Sequence, residues 1–247
     1  MFRQAEIFQP FSNNLIGGFT DRHGGVSQAP FNTLNLAHHV NDRDENVTLN
    51  RQKLADQLAV SPEQFRFLSQ VHSDFVIRAG KTPFPVATEG DALITRTPGI
   101  ILGILVADCA PVLIYDPKNR AVGAAHAGWR GCAANIVTKT LDAMRQAFGT
   151  DTSSCHAVTG PCISGEHYEI GPEVAEKFSA DVLREKSSGK FLLDIKKHIE
   201  NELREIGIPE KQIQIDPSCT FADGNNWFSY RRENRTGRFG GFIGLKE

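Results

Sequence analysis

The chain has 247 residues, 40 % apolar and 23 % charged, an ordinary globular balance that can bury a core without disulfide or metal staples. Its formal charge of −2, with acidic and basic residues interspersed, excludes the basic field that draws in nucleic acid or an anionic membrane. Five scattered cysteines, no apolar leader after Met1 and a longest apolar run (Ile100 to Ala107) too short to cross a bilayer together point to the cytoplasm.

Along the chain, the first helical pattern runs from Asp44 to Leu58, with Val47, Leu49, Leu54 and Leu58 roughly on one face and Asn41 or Asp42 as cap. Phe65-Arg66-Phe67-Leu68 alternates like a strand and leads into Gln70-Val71-His72. Ile100 to Ala107 is continuously apolar, which predicts a strand covered on both faces. Ala121 to Ala125 is a small apolar strand arriving at His126. Ala133 to Phe148 repeats Ile136, Val137, Thr140, Leu141, Met144 and Phe148 in helical rhythm, and Gly149 stops it. Strand patterns follow at 155–159, 212–215 and 241–244, with a helix over 192–206 that Gly207 and Pro209 end. Gly80 to Pro85 and Lys186 to Gly189 are too short to be linkers, so one domain over 1–247 is predicted. Interleaved strands and helices leave α/β and α+β both open.

Three of these strands run out into chemistry-bearing side chains, in Val71-His72-Ser73, Ala107-Asp108-Cys109-Ala110-Pro111 and Ala125-His126-Ala127-Gly128. Strand ends collect such groups because the sheet fixes the backbone while the loop frees the side chain. Two imidazoles and a thiolate suit tetrahedral zinc, with a fourth position open for water or substrate. Asp108 is placed to orient a ligand imidazole or a zinc-bound water. Against this, buried cysteines are more often small hydrophobes, and ligands this dispersed form no compact signature.

His126-Ala127-Gly128-Trp129-Arg130-Gly131 stands before a helix, where converging amides and a helix N-terminus favour an anion and Arg130 offers a bidentate contact. Gly128 and Gly131 serving a tight turn is the plainer alternative. His38 and His39 have the usual fate of solvated loop residues. The segment from Ser229 to Arg238 holds four arginines, a solvated loop or an anion-binding arm, the former being commoner.

Taken in order, Thr20-Asp21-Arg22-His23-Gly24-Gly25-Val26-Ser27, Leu34-Asn35-Leu36, Gln70-Val71-His72-Ser73, Gly90-Asp91-Ala92-Leu93, Ala107-Asp108-Cys109-Ala110-Pro111-Val112, His126 to Gly131, Gly160-Pro161-Cys162-Ile163 and Phe228-Ser229-Tyr230-Arg231-Arg232 resemble the YfiH family, also called the laccase-domain or multicopper polyphenol oxidase family. The resemblance covers about Gly17 to Ile243. It implies an α+β fold, a single four-layer αββα sandwich with mixed β-sheets. It also implies a zinc-dependent purine nucleoside phosphorylase that cleaves adenosine, inosine, guanosine and S-methyl-5′-thioadenosine with phosphate, and deaminates adenosine. The ligands His72, Cys109 and His126 carry over in their motifs. Catalytic roles are expected for these three and Asp108, and substrate-binding roles for Arg22, Asn35, His38, Gly128 and Arg130. Phosphate is expected at the Gly128–Gly131 turn, with Arg22 or Arg130. The partners are purine nucleosides and phosphate, with no nucleic acid or membrane, in a monomer or weak homo-oligomer. The rivals are a copper-dependent polyphenol oxidase (Cu2+ in place of Zn2+), a cysteine hydrolase with Cys109 as nucleophile, and a non-enzymatic interaction protein.

Overall fold

Apolar runs this continuous need cover on both faces, and the fold supplies it by stacking two sheets and flanking each with helices. The computed structural model describes every residue except Val86. In chain order the strands are β1 (Phe2–Gln4), β2 (Leu15–Thr20), β3 (Phe65–Arg66), β4 (Val76–Arg78), β5 (Ala92–Thr95), β6 (Ile101–Val106), β7 (Ala110–Asp116), β8 (Ala121–Ala127), β9 (His156–Thr159), β10 (Glu169–Ile170), β11 (Leu183–Glu185), β12 (Phe191–Leu193), β13 (Ile213–Ile215) and β14 (Phe239–Leu245). The α-helices are α1 (Asp44–Leu58), α2 (Trp129–Ala133), α3 (Ile136–Phe148), α4 (Pro172–Ala175), α5 (Ile195–Glu205) and α6 (Tyr230–Glu233). A five-stranded sheet has the order β1-β2-β14-β6-β3 and a six-stranded sheet the order β13-β9-β7-β8-β5-β4. Both mix parallel and antiparallel neighbours, so the fold is mixed α+β. A third, small antiparallel sheet, β10-β12-β11, is an addition to the expected architecture.

Strand alternation sorts the side chains into apolar layers. From β6, Leu102, Ile104 and Val106 face the second sheet and meet Leu113, Val122 and Ala124. Ile101 and Leu105 face the other way, towards Leu54 and Ala55 of α1. From β8, Ala125 and Ala127 join a cluster with Leu141 and Met144 of α3 and Ile199 and Leu203 of α5. Each fully buried aliphatic side chain contributes roughly 1.5–3 kcal/mol, against about 0–1 kcal/mol for an exposed ion pair. The layers, not the surface charges, hold the molecule together.

Three helix expectations are corrected. The patterned stretch 133–148 is broken by Asn135, which adopts a left-handed φ of 56° between α2 and α3. The stretch 192–206 begins as strand β12, and α5 starts only where Asp194 caps it by accepting the Lys197 amide at 3.0 Å. At α1 the cap position is Arg43, without a side-chain cap bond, because Asp42 instead accepts from Ser27 (2.6 Å) and Asn35 (2.9 Å). Leu49 is 52 % exposed, while Asn50 takes the inward position and donates to Ser27, Thr33 and Asn35. Among the described residues, no helix is long and apolar enough to cross a membrane.

Candidate functional site

β6 passes the chain from the first sheet to the second through Ala107-Asp108-Cys109, and β7 begins at the next residue. That short crossing sets Cys109 against the inter-sheet core. Antiparallel pairing of β7 with β8 puts Ala127 opposite Ala110 and His126 opposite Pro111. The alternation that turns Val122 and Ala124 into the inter-sheet layer turns His126 the same way. His72 comes from the loop between β3 and β4, in a left-handed conformation with φ 59°.

The donor atoms of His72, Cys109 and His126 lie within 4.8 Å of one another. Cys109 Sγ is 3.9 Å from His72 Nε2, and the imidazole rings meet edge-on with centroids 4.9 Å apart. His126 is buried, Cys109 half-buried and His72 exposed, so the group is open to solvent on one side. Gly128 makes room for it: a Cβ there would lie 2.9 Å from Cys109 Sγ and 3.1 Å from His72 Cδ2.

Asp91 organises the group. Its fully buried carboxylate engages His126 Nδ1 at 2.8 Å and accepts from the amides of Val71 (3.2 Å), His72 (3.1 Å) and Ser73 (2.6 Å) and from the Ser73 hydroxyl (2.7 Å). Burial works to raise the Asp91 pKa, but the bonds from His126 and Ser73 prevail and hold it at about 2. An ionised carboxylate makes Nδ1 the donor, which leaves Nε2 as the His126 nitrogen that turns to a metal once its proton is displaced. The same carboxylate pins the left-handed turn that presents His72.

Burial would raise the Cys109 thiol, but the His126 charge and hydrogen bonds from both imidazoles outweigh it and hold the pKa at about 6. Burial would depress His126, but the Cys109 charge and the Asp91 bond raise it to about 9. The pair is therefore a thiolate beside an imidazolium, and the thiolate is the form that binds metal. Cys132, Cys155 and Cys162 are pushed up, above all by burial.

A cavity of about 390 Å³ opens onto the three residues. Leu105, Trp129, Ile163 and Tyr168 form an apolar and aromatic side, and His39, Arg231 and Arg238 bring polarity to the lining. A more open groove of about 790 Å³ lies elsewhere, around Lys196 and Asp216. Its Lys196 ammonium is already engaged by the carbonyls of Asp216 and Ser218, and none of the three converging residues borders it.

Of the residues expected from sequence, His72, Cys109 and His126 come together, and Gly128 packs against them. Asp108 lines the cavity, but its oxygens accept from the Thr220 hydroxyl and the Arg231 amide, both at 2.7 Å; the imidazole's partner is Asp91. Arg22 is buried away from the cavity, donating to the carbonyls of Asn32 and Gly224 and paired with Glu233. Asn35 is fully buried and bonded to Ala37 and Asp42. His38 pairs with Asp44 on the surface. Arg130 is exposed, its guanidinium over the Trp129 ring at 4.3 Å. Sequence reasoning gave no role to Asp91, Tyr168 or His39, and favoured a solvated loop for Arg231 and Arg238. The one usable signal for Asp91 was a lone acid ahead of apolar residues in Gly90-Asp91-Ala92-Leu93, a motif read only as part of the family resemblance.

The sequence and fold have counterparts among known proteins. The family described as multi-copper polyphenol oxidoreductase laccase matches residues 16–246. A purine nucleoside phosphorylase of Corynebacterium glutamicum is 38 % identical over 232 residues, covering 92 % of this chain and 93 % of that protein. The purine nucleoside phosphorylase YlmD of Bacillus subtilis is 32 % identical over 251 residues, covering 96 % and 90 %. The crystal structure of YlmD from Geobacillus stearothermophilus aligns with a TM-score of 0.93 at 31 % identity, over 100 % of this chain and 96 % of that one. The chain belongs to the multi-copper polyphenol oxidoreductase laccase family, the family of YfiH and YlmD.

Proposed function

We infer that this chain, as one catalytic domain over 1–247, is a zinc-dependent purine nucleoside phosphorylase that also deaminates adenosine. The observation that carries the reading is the convergence of His72, Cys109 and His126 at a cavity whose lining includes an aromatic side and two guanidinium groups. Curated relatives named as purine nucleoside phosphorylases support it.

The residues fit a zinc ion. Tetrahedral bonds of about 2.0–2.3 Å draw donors to separations of about 3.5 Å, and these already lie within 4.8 Å of one another. A His126 whose Nδ1 is committed to Asp91 and a Cys109 thiolate are the donor chemistry and outer support such an ion uses, the ion displacing the Nε2 proton. Among the described residues this is the one such group of three. That supports a mononuclear centre over the several coppers that reducing dioxygen to water calls for. When bound, the metal supplies Lewis-acid polarisation beside the substrate.

In phosphorolysis a phosphate oxygen bonds to C1′ of the nucleoside while the C1′–N9 bond breaks. The electron pair leaves on the purine, which takes up a proton. Adenosine, inosine, guanosine and S-methyl-5′-thioadenosine share that bond. The aromatic ring of Tyr168 and the side chains of Leu105 and Ile163 offer the purine a dry face. Deamination replaces the C6 amine of adenosine by water oxygen and releases ammonia. Incubating the protein with adenosine, with and without phosphate, tests both: adenine plus ribose 1-phosphate reports phosphorolysis and inosine reports deamination. Neither product forming would sink the reading.

A second reading has one observation in its favour. A thiolate beside an imidazolium is also the layout of a cysteine nucleophile. Activity that survives a strong chelator but is lost on alkylation of Cys109 would select it.

A further inference from the structure

Arg231 and Arg238 line the cavity together with Cys109 and His126. Among the described residues, neither takes part in an ion pair. Arg238 gives Nη1 to the carbonyls of Thr236 (2.9 Å) and Gly237 (3.1 Å). Arg231 gives Nη1 to the carbonyl of Glu169 (2.8 Å) and lies over the Tyr168 ring at 5.4 Å. The nearest acid in sequence, Glu233, is turned away to Arg22 and Arg232. Asp108, the carboxylate bordering the cavity, is held by Thr220 and the Arg231 amide.

Half-burying guanidinium groups without an anion carries a desolvation cost that an anionic ligand would offset. Arg238 is such a group: burial lowers its pKa against the opposing charges of Cys109 and Asp108, and no carboxylate bonds to its side chain among the described residues. His39 also borders the cavity, its pKa lowered first by burial and then by the Arg238 and Arg51 charges. A neutral imidazole there complements a hydrogen phosphate, which both donates and accepts. Guanidinium forks match the spacing of phosphate oxygens, as a lone ammonium does not.

We propose that Arg231 and Arg238, with His39, form the subsite for the inorganic phosphate that attacks the nucleoside. This rests on the phosphorylase reading and replaces Arg22, Arg130 and the Gly128–Gly131 turn as the anion site. Arg22 is locked among carbonyls, and Arg130 stands outside the cavity.

The test uses the purified full chain and the variants Arg238→Gln, Arg231→Gln and Arg238→Lys. Phosphate KM is measured with inosine as co-substrate, and binding of inorganic phosphate is measured by calorimetry. Each glutamine variant is expected to raise phosphate KM about ten- to a hundred-fold, with zinc stoichiometry and the inosine KM close to wild type. Arg238→Lys restores part of the loss, because it returns charge without the fork. Unchanged phosphate KM and affinity in both glutamine variants overturns the subsite and leaves the phosphorylase reading standing. Arginine-dependent phosphate binding in a protein that cleaves no nucleoside upholds the anion site and removes the reaction. Arginine-dependent binding of adenosine 5′-monophosphate, with none of inorganic phosphate, overturns the co-substrate assignment. If Arg238→Gln melts early, Arg231→Gln carries the same comparison.

Discussion

Replacing Asp91 by asparagine is the sharpest probe of how the metal group is held. One carboxylate oxygen receives His126 Nδ1 and the His72 amide, and the other receives the amides of Val71 and Ser73 and the Ser73 hydroxyl. An asparagine must turn its NH2 towards one set. Facing His126, the NH2 donates to Nδ1, so the ring proton moves to Nε2 and the lone pair meant for the metal is lost. Facing the other set, it opposes two backbone donors and pushes on the turn that presents His72. Either orientation leaves at least one buried N–H unmatched, at about 1–3 kcal/mol each. For a chain of this length that is a fall in Tm of several degrees, on the order of 5 °C. Loss of such a partner typically weakens metal affinity about 10–100-fold. The assay is competition for zinc against a chromophoric chelator, alongside thermal melts of the metal-free and zinc-loaded forms. Wild-type zinc affinity in Asp91→Asn would refute the argument, whatever the melts show.

Gly128→Ala sets a methyl 2.9 Å from Cys109 Sγ; zinc affinity should fall about ten-fold or more with little loss of Tm in the metal-free protein, and an unchanged affinity counts against the close fit. Arg22→Ala removes a buried guanidinium and its bonds to Asn32 and Gly224, while Glu233 keeps Arg232 as its partner; the expected loss is about 1–3 kcal/mol, read by denaturant titration. Arg130→Ala, at an exposed site outside the cavity, should leave stability within about 0.5 kcal/mol and phosphate KM at its wild-type value. In metal-free protein the Cys109 thiolate, with its pKa held near 6, is present above that pH and lost below it. Iodoacetamide labelling followed by mass spectrometry should show its rate falling as pH drops through about 6, with Cys132, Cys155 and Cys162 unlabelled and zinc protecting Cys109. A midpoint at the ordinary thiol pKa, about 8.5, would remove the imidazolium pairing.

The legible parts of the fold were those governed by one periodicity. Strand β6 carries a continuous apolar pattern and forms within a residue of the expected ends, and helix α1 forms over its expected span although its inward face differs at Leu49 and Asn50. β7 was missed because Pro111 near its start reads as a breaker, although pairing with β9 begins only at Val112 and Pro111 serves there as an acceptor for the Gly160 amide. β2 was missed because Gly17 and Gly18 dilute its apolar signal; Gly18 has no room for a Cβ, which would fall 2.0 Å from the Arg3 carbonyl oxygen. Cys109 and His126 were legible as strand-end residues, since alternation and a short crossing are local properties, whereas His72 lies in the loop between β3 and β4 and not at the strand end expected for it. The group's support was not legible: Asp91 and His126 are 35 positions apart, and a lone acid before an apolar run has several equally ordinary fates.

The arginines between Ser229 and Arg238 show where pattern reading stops and packing takes over. Composition treats the four alike, yet the fold divides them. Arg232 clamps the carbonyls of Thr220, Phe221 and Trp227, and Arg235 lies over the Phe31 ring, while Arg231 and Arg238 are left for the cavity. The division depends on Arg22, which reaches from the N-terminal motif to Gly224 and Glu233 and so fixes the segment from which Arg231 and Arg238 project. On the proposed subsite, Arg22 acts as a strut that holds the segment carrying Arg231 and Arg238.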